Sequence, residues 1–448
     1  MRATVNLAVC YRLSDEMVSA MGIEDELVEE YIKEAVNFSR QRLLPGYYGI
    51  ERLLAKYKLR EWYFEAIRVV KAINGPVVQQ YGNNDELAMD HYCLLCDFYK
   101  GAGVQIDATE GAVMLLASAR HGKEALVRVL LNSGVDIEAK DSSGWTALHH
   151  AALLGREPVV RLLFERGANK KERTDTGSTA LHLAAVTRGN EGMLKLLLEN
   201  GIDIDAGTND ESTALHEAAW RGHKSLVQLL LERGANINAK TRDGTTALHM
   251  AAASTEENKA TLLLLLGRKI EIEAKRSRNW TALHEAAAQG NAVLMQVLLE
   301  RGANIWAKTA EGSTALHLAT LSGNVAKVRL LLEKGLDVDA ETDGGVSALQ
   351  AGAATGTKAV VQLLLDWKSD DGLRFGEMWT AVQIAAYGGH GGVMMLILKN
   401  SGYWMFKKVG VYFCTHAVYI SVPLILFLSV LLLEVFSGLG VVPTLFLW

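Results

Sequence analysis

Proline and cysteine are scarce in this sequence, with 5 and 4 residues among 448. The cysteines are too few and too scattered for a disulfide framework; they are Cys10, Cys93, Cys96 and Cys414. An excess of charge of one sign is also lacking, since 46 Lys+Arg stand against 51 Asp+Glu. No global attraction to nucleic acid or to an anionic membrane is therefore expected. The N-terminus has only a short apolar run and lacks the features of a signal peptide, which favours a cytosolic or nuclear body.

Motifs of catalysis and metal binding are missing as well. The sequence has no Gly-rich phosphate loop, no nucleophile elbow and no metal-ligand cluster. HEAAW at His216 and HEAAA at His284 begin like the HExxH zinc motif, but Trp220 and Ala288 occupy the place of the second histidine. We therefore expect no catalytic residue, no metal, no cofactor and no small-molecule substrate.

What the sequence does contain is a short motif at a regular spacing. TALH occurs at intervals of 33, 34, 33, 35 and 33 residues, and SALQ and TAVQ continue the series at intervals of 33. The motifs begin at Thr146, Thr179, Thr213, Thr246, Thr281, Thr314, Ser347 and Thr380. After each motif come an Ala-rich segment, a Leu/Val-rich segment such as SLVQLLLERG, and a form of GANINAK. A fixed period with this layout is typical of a solenoid.

With these motifs the chain resembles the ankyrin-repeat proteins, although alanine stands where their usual TPLH has proline. The resemblance covers about nine units over residues 111–402. It implies an all-α solenoid with short β-finger loops that binds a protein partner on its concave face. The partner would contact the fingertips and the exposed side of each first helix. The unit that begins at Thr246 is two residues longer than its neighbours, and an insertion of this kind usually enlarges a loop.

The residues of one unit agree with this architecture. Leu226, Leu229 and Leu230 fall at i, i+3 and i+4 and predict one apolar helical stripe. Gly234 suits the positive φ at which many helices end. Small residues such as Ala214 keep the first helix thin, so that two helices can pack closely. We interpret each motif threonine and histidine as helix caps that satisfy exposed backbone amides and each other.

Aromatic and basic side chains on the predicted binding face are the candidate partner contacts. The tryptophans are Trp145, Trp220, Trp280 and Trp379, with Trp306 just before a fingertip. The basic candidates are Arg242, Arg276 and Arg278 at the tips of the middle units. Aromatic and arginine side chains are typical interface anchors, and a local basic patch could steer an acidic peptide.

Residues 1–110 show helical spacing and predict a small α-helical domain or a cap for the solenoid. Within this segment lies Asp-His-Tyr-Cys, ending at Cys93. That string resembles the signature of ankyrin-bearing palmitoyl transferases, in which the cysteine accepts the acyl group. A cysteine-dependent acyl transferase is therefore the alternative function from a different class. Here, however, the string precedes the repeats and lacks the supporting cysteines of that family.

The C-terminal end is strongly apolar. Residues 409–433 contain no Asp, Glu, Lys or Arg, and about 20 mostly apolar residues suffice for a membrane-spanning helix. Lys399, Lys407 and Lys408 precede this segment and no basic residue follows it, which favours repeats on the cytosolic side. Residues 434–448 form a further apolar end. The sequence predicts a single-pass, tail-anchored adaptor; a soluble regulator of an enzyme or signalling partner, cytoplasmic or nuclear, is the alternative.

Overall fold

A computed structural model describes residues 106–254, 258–367 and 375–400. The chain divides into two compact units, which are described separately. The first comprises Met1–Ala218 and Ser225–Arg242, and the second comprises Ala219–Lys224 and Asp243–Trp448. The segments predicted as an N-terminal helical domain (residues 1–110, apart from the last five) and as a membrane helix (residues 409–433) lie outside the described residues, as does Cys93.

Helices alternate in pairs throughout the described ranges, which contain no strand. Each pair consists of a first helix and a second, more apolar helix. At the motifs from Thr146 to Ser347 the first helix begins directly after the motif threonine or serine, whereas Thr380 lies within its helix. The helices are α1 Ala108–His121, α2 Glu124–Asn132, α3 Ala147–Leu153, α4 Glu157–Glu165, α5 Ala180–Val186, α6 Glu191–Glu199, α7 Ala214–Trp220, α8 Lys224–Glu232, α9 Ala247–Ala253, α10 Lys259–Leu266, α11 Ala282–Ala288, α12 Ala292–Glu300, α13 Ala315–Leu321, α14 Val325–Glu333, α15 Ala348–Thr355, α16 Lys358–Trp367, α17 Phe375–Tyr387 and α18 Gly391–Asn400.

The apolar stripe predicted for α8 is buried. Leu226 and Leu230 are fully buried and Leu229 nearly so. Gly234 follows this helix with a φ of 91°, a conformation in which a side chain would be strained. Both predictions for this unit are thus confirmed.

First helices pack on first helices, and second helices on second helices. In the first unit, α1, α3 and α5 form one row and α2, α4 and α6 another. In the second unit, α9, α11, α13, α15 and α17 form one row and α10, α12, α14, α16 and α18 the other. Each pair thus buries its apolar face against its neighbours, which is the way a solenoid builds its core.

The loops predicted as short β-fingers are turns. Their two arms join through single backbone bonds, such as the Asp141 N–H to the Trp145 carbonyl at 3.0 Å. Two isolated bridges, Arg276 with Trp280 and Glu341 with Ser347, are the only β pairing within the described residues. A single backbone hydrogen bond between the two arms of a finger is not enough to form a β-strand. The tips are also linked in series, as the Ala310 N–H donates to the Arg278 carbonyl at 2.7 Å.

One second helix in the second unit carries a lysine in its core. Lys327 is 2% exposed, and its Nζ donates to the carbonyls of Ala287 at 2.6 Å and Gly290 at 3.2 Å. These carbonyls lie at the end of α11, where a cation is favourable. Burial nevertheless lowers the pKa of Lys327 to about 8. In other repeats Leu226 and Leu294 occupy the same position, thirteen residues after the motif threonine.

Candidate partner-binding surface

Each first helix that follows a TALH motif is capped by the threonine and histidine of that motif. In α11 the Thr281 N–H donates to His284 Nδ1 at 3.1 Å, and Thr281 Oγ1 lies 2.9 Å from the same nitrogen. His284 Nε2 then donates to the Ala307 carbonyl at 3.1 Å. The same capping arrangement occurs in α3, α5, α9 and α13. Because Nδ1 accepts a backbone N–H, the proton of the neutral ring lies on Nε2.

Burial keeps these histidines neutral. It lowers the pKa of His149, His182, His249 and His284 to about 4. An added proton would have to lie on Nδ1, facing the backbone N–H that this atom accepts. The interpretation of the motif histidines as structural caps is therefore confirmed by their hydrogen bonds. In the described part of the chain, no three His, Cys, Asp or Glu side chains are grouped as metal ligands.

The predicted tryptophans differ in exposure. Trp220 is 48% exposed and Trp306 57% exposed, whereas Trp145, Trp280 and Trp379 are half-buried. Trp145 lies against the ring of His150 at 5.1 Å between centroids, and Trp280 against that of His284 at 6.3 Å. The two exposed rings thus offer the most surface to a partner.

Trp306 stands at a position that is acidic in several other repeats. Eight residues before the motif threonine, Glu138, Asp205 and Glu273 each accept a backbone N–H from the following unit, at 2.6 to 2.9 Å. An indole has no acceptor, so Trp306 cannot make this bond. At this position the repeat presents the exposed ring of Trp306, whereas the carboxylates of Glu138, Asp205 and Glu273 bind the neighbouring repeat.

The predicted basic patch is largely paired within the protein. Arg276 forms an ion pair with the buried carboxylate of Glu285, lies 3.9 Å from Asp243, and stacks on Trp280 at 4.8 Å. Burial raises the pKa of Glu285, and Arg276 opposes that rise. In the first unit, the exposed Arg242 donates to the Asn209 carbonyl at 2.5 Å. Arg276 thus has carboxylate partners within the protein, and Arg242 has a carbonyl partner.

Arg278 is the most exposed of the three arginines, and its backbone is unusual. Its side chain is 75% exposed and lies 3.4 Å from Glu311. Arg278 and Asn279 have φ values of 62° and 57°. Most other repeats have glycine where Asn279 stands, for example Gly312 with a φ of 74°, although Glu211 occupies this position in one repeat with a φ of 63°. Asparagine tolerates this region, but arginine is strained there. This fingertip holds its arginine outward at a cost in backbone energy.

A feature that the sequence predictions missed is a row of apolar side chains along the second unit. Seven residues after each motif threonine or serine, the first helices present one apolar residue; we call this set the apolar row. Leu321 is 51% and Tyr387 77% exposed, and none of its members is buried. The apolar row consists of Trp220, Ala253, Ala288, Leu321, Ala354 and Tyr387. The signal was available in the sequence as a second periodic position beside the motif.

The surroundings of the apolar row carry little charge. Four residues after the motif, the second unit has Met250, Glu285, Leu318, Ala351 and Ile384 in successive first helices. Glu285, the one acid among them, is buried and paired with Arg276. Leu318 and Ala351 are buried as well, so the half-buried Met250 and Ile384 are the members of this set that add apolar surface beside the apolar row.

Comparison with known families accounts for this architecture. The family model described as ankyrin repeats in three copies matches residues 86–174, 166–241, 205–276, 237–309 and 306–377, which together span well over half of the chain. The chain belongs to the ankyrin-repeat family. No curated protein matches it. Ankyrin repeats are protein-interaction scaffolds, and the family is generally non-enzymatic.

The alanine that replaces the proline of the usual ankyrin motif lies at the start of a helix. Ala315 is the first residue of α13, directly after Thr314, which has the extended backbone of a helix cap. The first N–H groups of a helix have no intrahelical partner, so either alanine or proline suits this place.

Within residues 106–254, 258–367 and 375–400 of this ankyrin protein, no helix combines the length and the apolar character needed to cross a membrane.

Proposed function

We propose that this ankyrin stack is an adaptor that binds a protein partner along the exposed first-helix side of its second unit. The observation that carries the proposal is the apolar row: side chains as large as Trp220, Leu321 and Tyr387 stay exposed at one repeating position. Exposed apolar patches of this kind mark interaction sites. Trp306 and the strained Arg278 add anchors of the residue types that dominate interfaces.

The surface favours an uncharged partner segment over an acidic peptide. Arg276 and Arg278 each have a carboxylate within ion-pair distance. An acidic partner that drew Arg276 away would leave the buried Glu285 carboxylate without its cation, which is unfavourable. Binding should accordingly depend little on salt concentration.

Affinity capture from cell extract with the purified full chain tests the proposal. Trp220→Ala, Trp280→Ala and Arg278→Ala should each weaken capture of the same protein about thirtyfold or more, since hot-spot truncations typically cost about 2 kcal/mol or more. Trp367→Ala is the matched control, because Trp367 is an exposed tryptophan on the second helix α16. Equal capture by the parent and all four variants would refute the proposed surface.

A membrane attachment of this adaptor is a further part of the proposal, and its support is the sequence alone. Residues 409–433 are 25 residues without a charge, long enough to span a bilayer as a helix. The lysines before this segment favour repeats on the cytosolic side. The full chain should resist carbonate extraction from membranes, whereas a chain ending at Lys408 should not sediment with them. A full chain that is extracted as readily as the truncated one would favour the soluble adaptor.

A further inference from the structure

The apolar row defines what can lie on it. From Ala253 to Gly388, the seventh and eighth residues after each motif include no charged side chain. The first helices that carry them pack in one continuous series, α9, α11, α13, α15 and α17. The occupant of this surface must therefore be an apolar segment that can extend across several repeats.

The neighbouring fingertips add no net attraction for charge. Arg276 is held by Glu285 and Asp243, and Arg278 lies beside Glu311. Charged rims normally steer charged partners to a site. Because Arg276 is paired within the second unit and Arg278 lies beside a carboxylate, these fingertips provide little attraction for a charged occupant.

One segment of this same chain has that chemistry. Residues 409–433 are uncharged and mostly apolar, and they follow α18 after a connection of residues 401–408. As a helix the segment would be about 37 Å long. Packed helices stand about 10 Å apart, so a segment of that length covers three to four repeats of the apolar row. The connection can extend about 26 Å at full stretch, enough to cross one helix pair.

A tether also gives this segment an advantage over free partners. A short covalent connection can produce effective concentrations in the millimolar range, well above the concentration of most cellular proteins. We propose that, away from a membrane or a partner, residues 409–433 lie across the apolar row of the second unit and cover it. This inference rests on the proposed recognition surface and adds its regulation, because a partner then has to displace the tail.

Photo-crosslinking in the full chain tests this arrangement, and a native residue supplies the attachment point. With Cys10, Cys93 and Cys96 replaced by serine, Cys414 is the one remaining cysteine. A benzophenone maleimide on Cys414, irradiated without membranes, should crosslink within the same chain. Mass spectrometry should place the crosslinks on first-helix peptides that contain Leu321, Ala354 or Tyr387.

The matched variants are Leu321→Asp in the apolar row and Val293→Asp on the second helix α12, both at exposed apolar positions. Leu321→Asp should lower the intramolecular yield at least fivefold, while Val293→Asp should leave it unchanged. Equal yields in both variants, crosslinks spread over the second helices, or no intramolecular crosslink would overturn the proposal. Crosslinks only between two chains would also overturn it, in favour of a second copy as the occupant.

The same variants separate this inference from the proposed function. If Leu321→Asp abolishes partner capture but the parent chain shows no intramolecular crosslink, the recognition surface stands and the tail arrangement is wrong. If the crosslink forms and depends on Leu321 while capture is unaffected, the tail covers the row but the partner binds elsewhere.

Discussion

Acid should destabilise this protein through its capping histidines, and the chain contains its own control for that effect. His284 accepts the Thr281 N–H and donates to the Ala307 carbonyl. In the repeat that begins at Ser347, Gln350 takes the place of the histidine. Its Oε1 accepts the Ser347 N–H at 3.1 Å, and its Nε2 donates toward the next repeat, to Thr380 Oγ1 at 2.6 Å. Glutamine thus fits the place of histidine but does not titrate.

The magnitude follows from the pKa of His284, about 4 in the folded protein and about 6.5 in an unfolded chain. Because the folded value is the lower one, the unfolded state binds more protons between these limits. The stabilising contribution is therefore fully present above about pH 6.5 and is lost as the pH falls toward 4. Between pH 7 and pH 5 the loss amounts to about 2 kcal/mol for one histidine.

Urea unfolding at pH 7 and pH 5, followed by circular dichroism, measures this loss in the full chain. His284→Gln should reduce the acid-induced drop in unfolding free energy by about 2 kcal/mol, and the inverse change Gln350→His should enlarge it by a similar amount. All other titrating groups cancel in the comparison with the parent. An unchanged drop in both variants, or a His284 pKa near 6.5 by NMR, would refute the reasoning.

Three further changes test the packing. Lys327→Met should raise the unfolding free energy at pH 7 by about 1–3 kcal/mol in urea titrations; the parent should recover stability between pH 8 and 10, where its buried lysine loses its proton, and the variant should not. Arg276→Ala should cost about 3 kcal/mol because it leaves the buried Glu285 carboxylate unpaired, and adding Glu285→Gln should restore most of that loss. Ala315→Pro should raise the thermal midpoint, by about 0.5–1 kcal/mol in stability, since it places proline at the first position of a helix. A lower thermal midpoint for Ala315→Pro would contradict the assigned position of Ala315 at the start of its helix. A double variant of Arg276→Ala and Glu285→Gln that is no more stable than Arg276→Ala alone would contradict the assigned ion pair.

The sequence predicts the repeat architecture well because the repeat is local and periodic. Leu226 and Leu230 show their burial through spacing alone, and the threonine–histidine pair shows its capping role because it recurs at the start of every TALH helix. Contacts between a fingertip and the helix that follows it are harder to predict. Arg276 in the predicted basic patch pairs with Glu285 of the following first helix, so the carboxylate offsets the charge of this arginine.

The apolar row is hard to predict for a related reason. Trp220 stands out in the sequence as an aromatic residue, while Leu321 and Tyr387 stand at the same repeat position but are of common types. Exposure depends on which side of a helix faces a neighbour, and spacing within one helix does not show this. The apolar row is defined by one position, seven residues after each motif threonine or serine, together with the exposure of the side chains at that position.

Hydrogen–deuterium exchange on the complex with the captured partner tests the central claim most directly. The account predicts that binding slows exchange in peptides covering the ends of α11, α13 and α17, which include Ala288, Leu321 and Tyr387, and leaves the second helices α12 and α14 unchanged. Protection confined to the second helices, with the first-helix peptides exchanging as in the free protein, would contradict it.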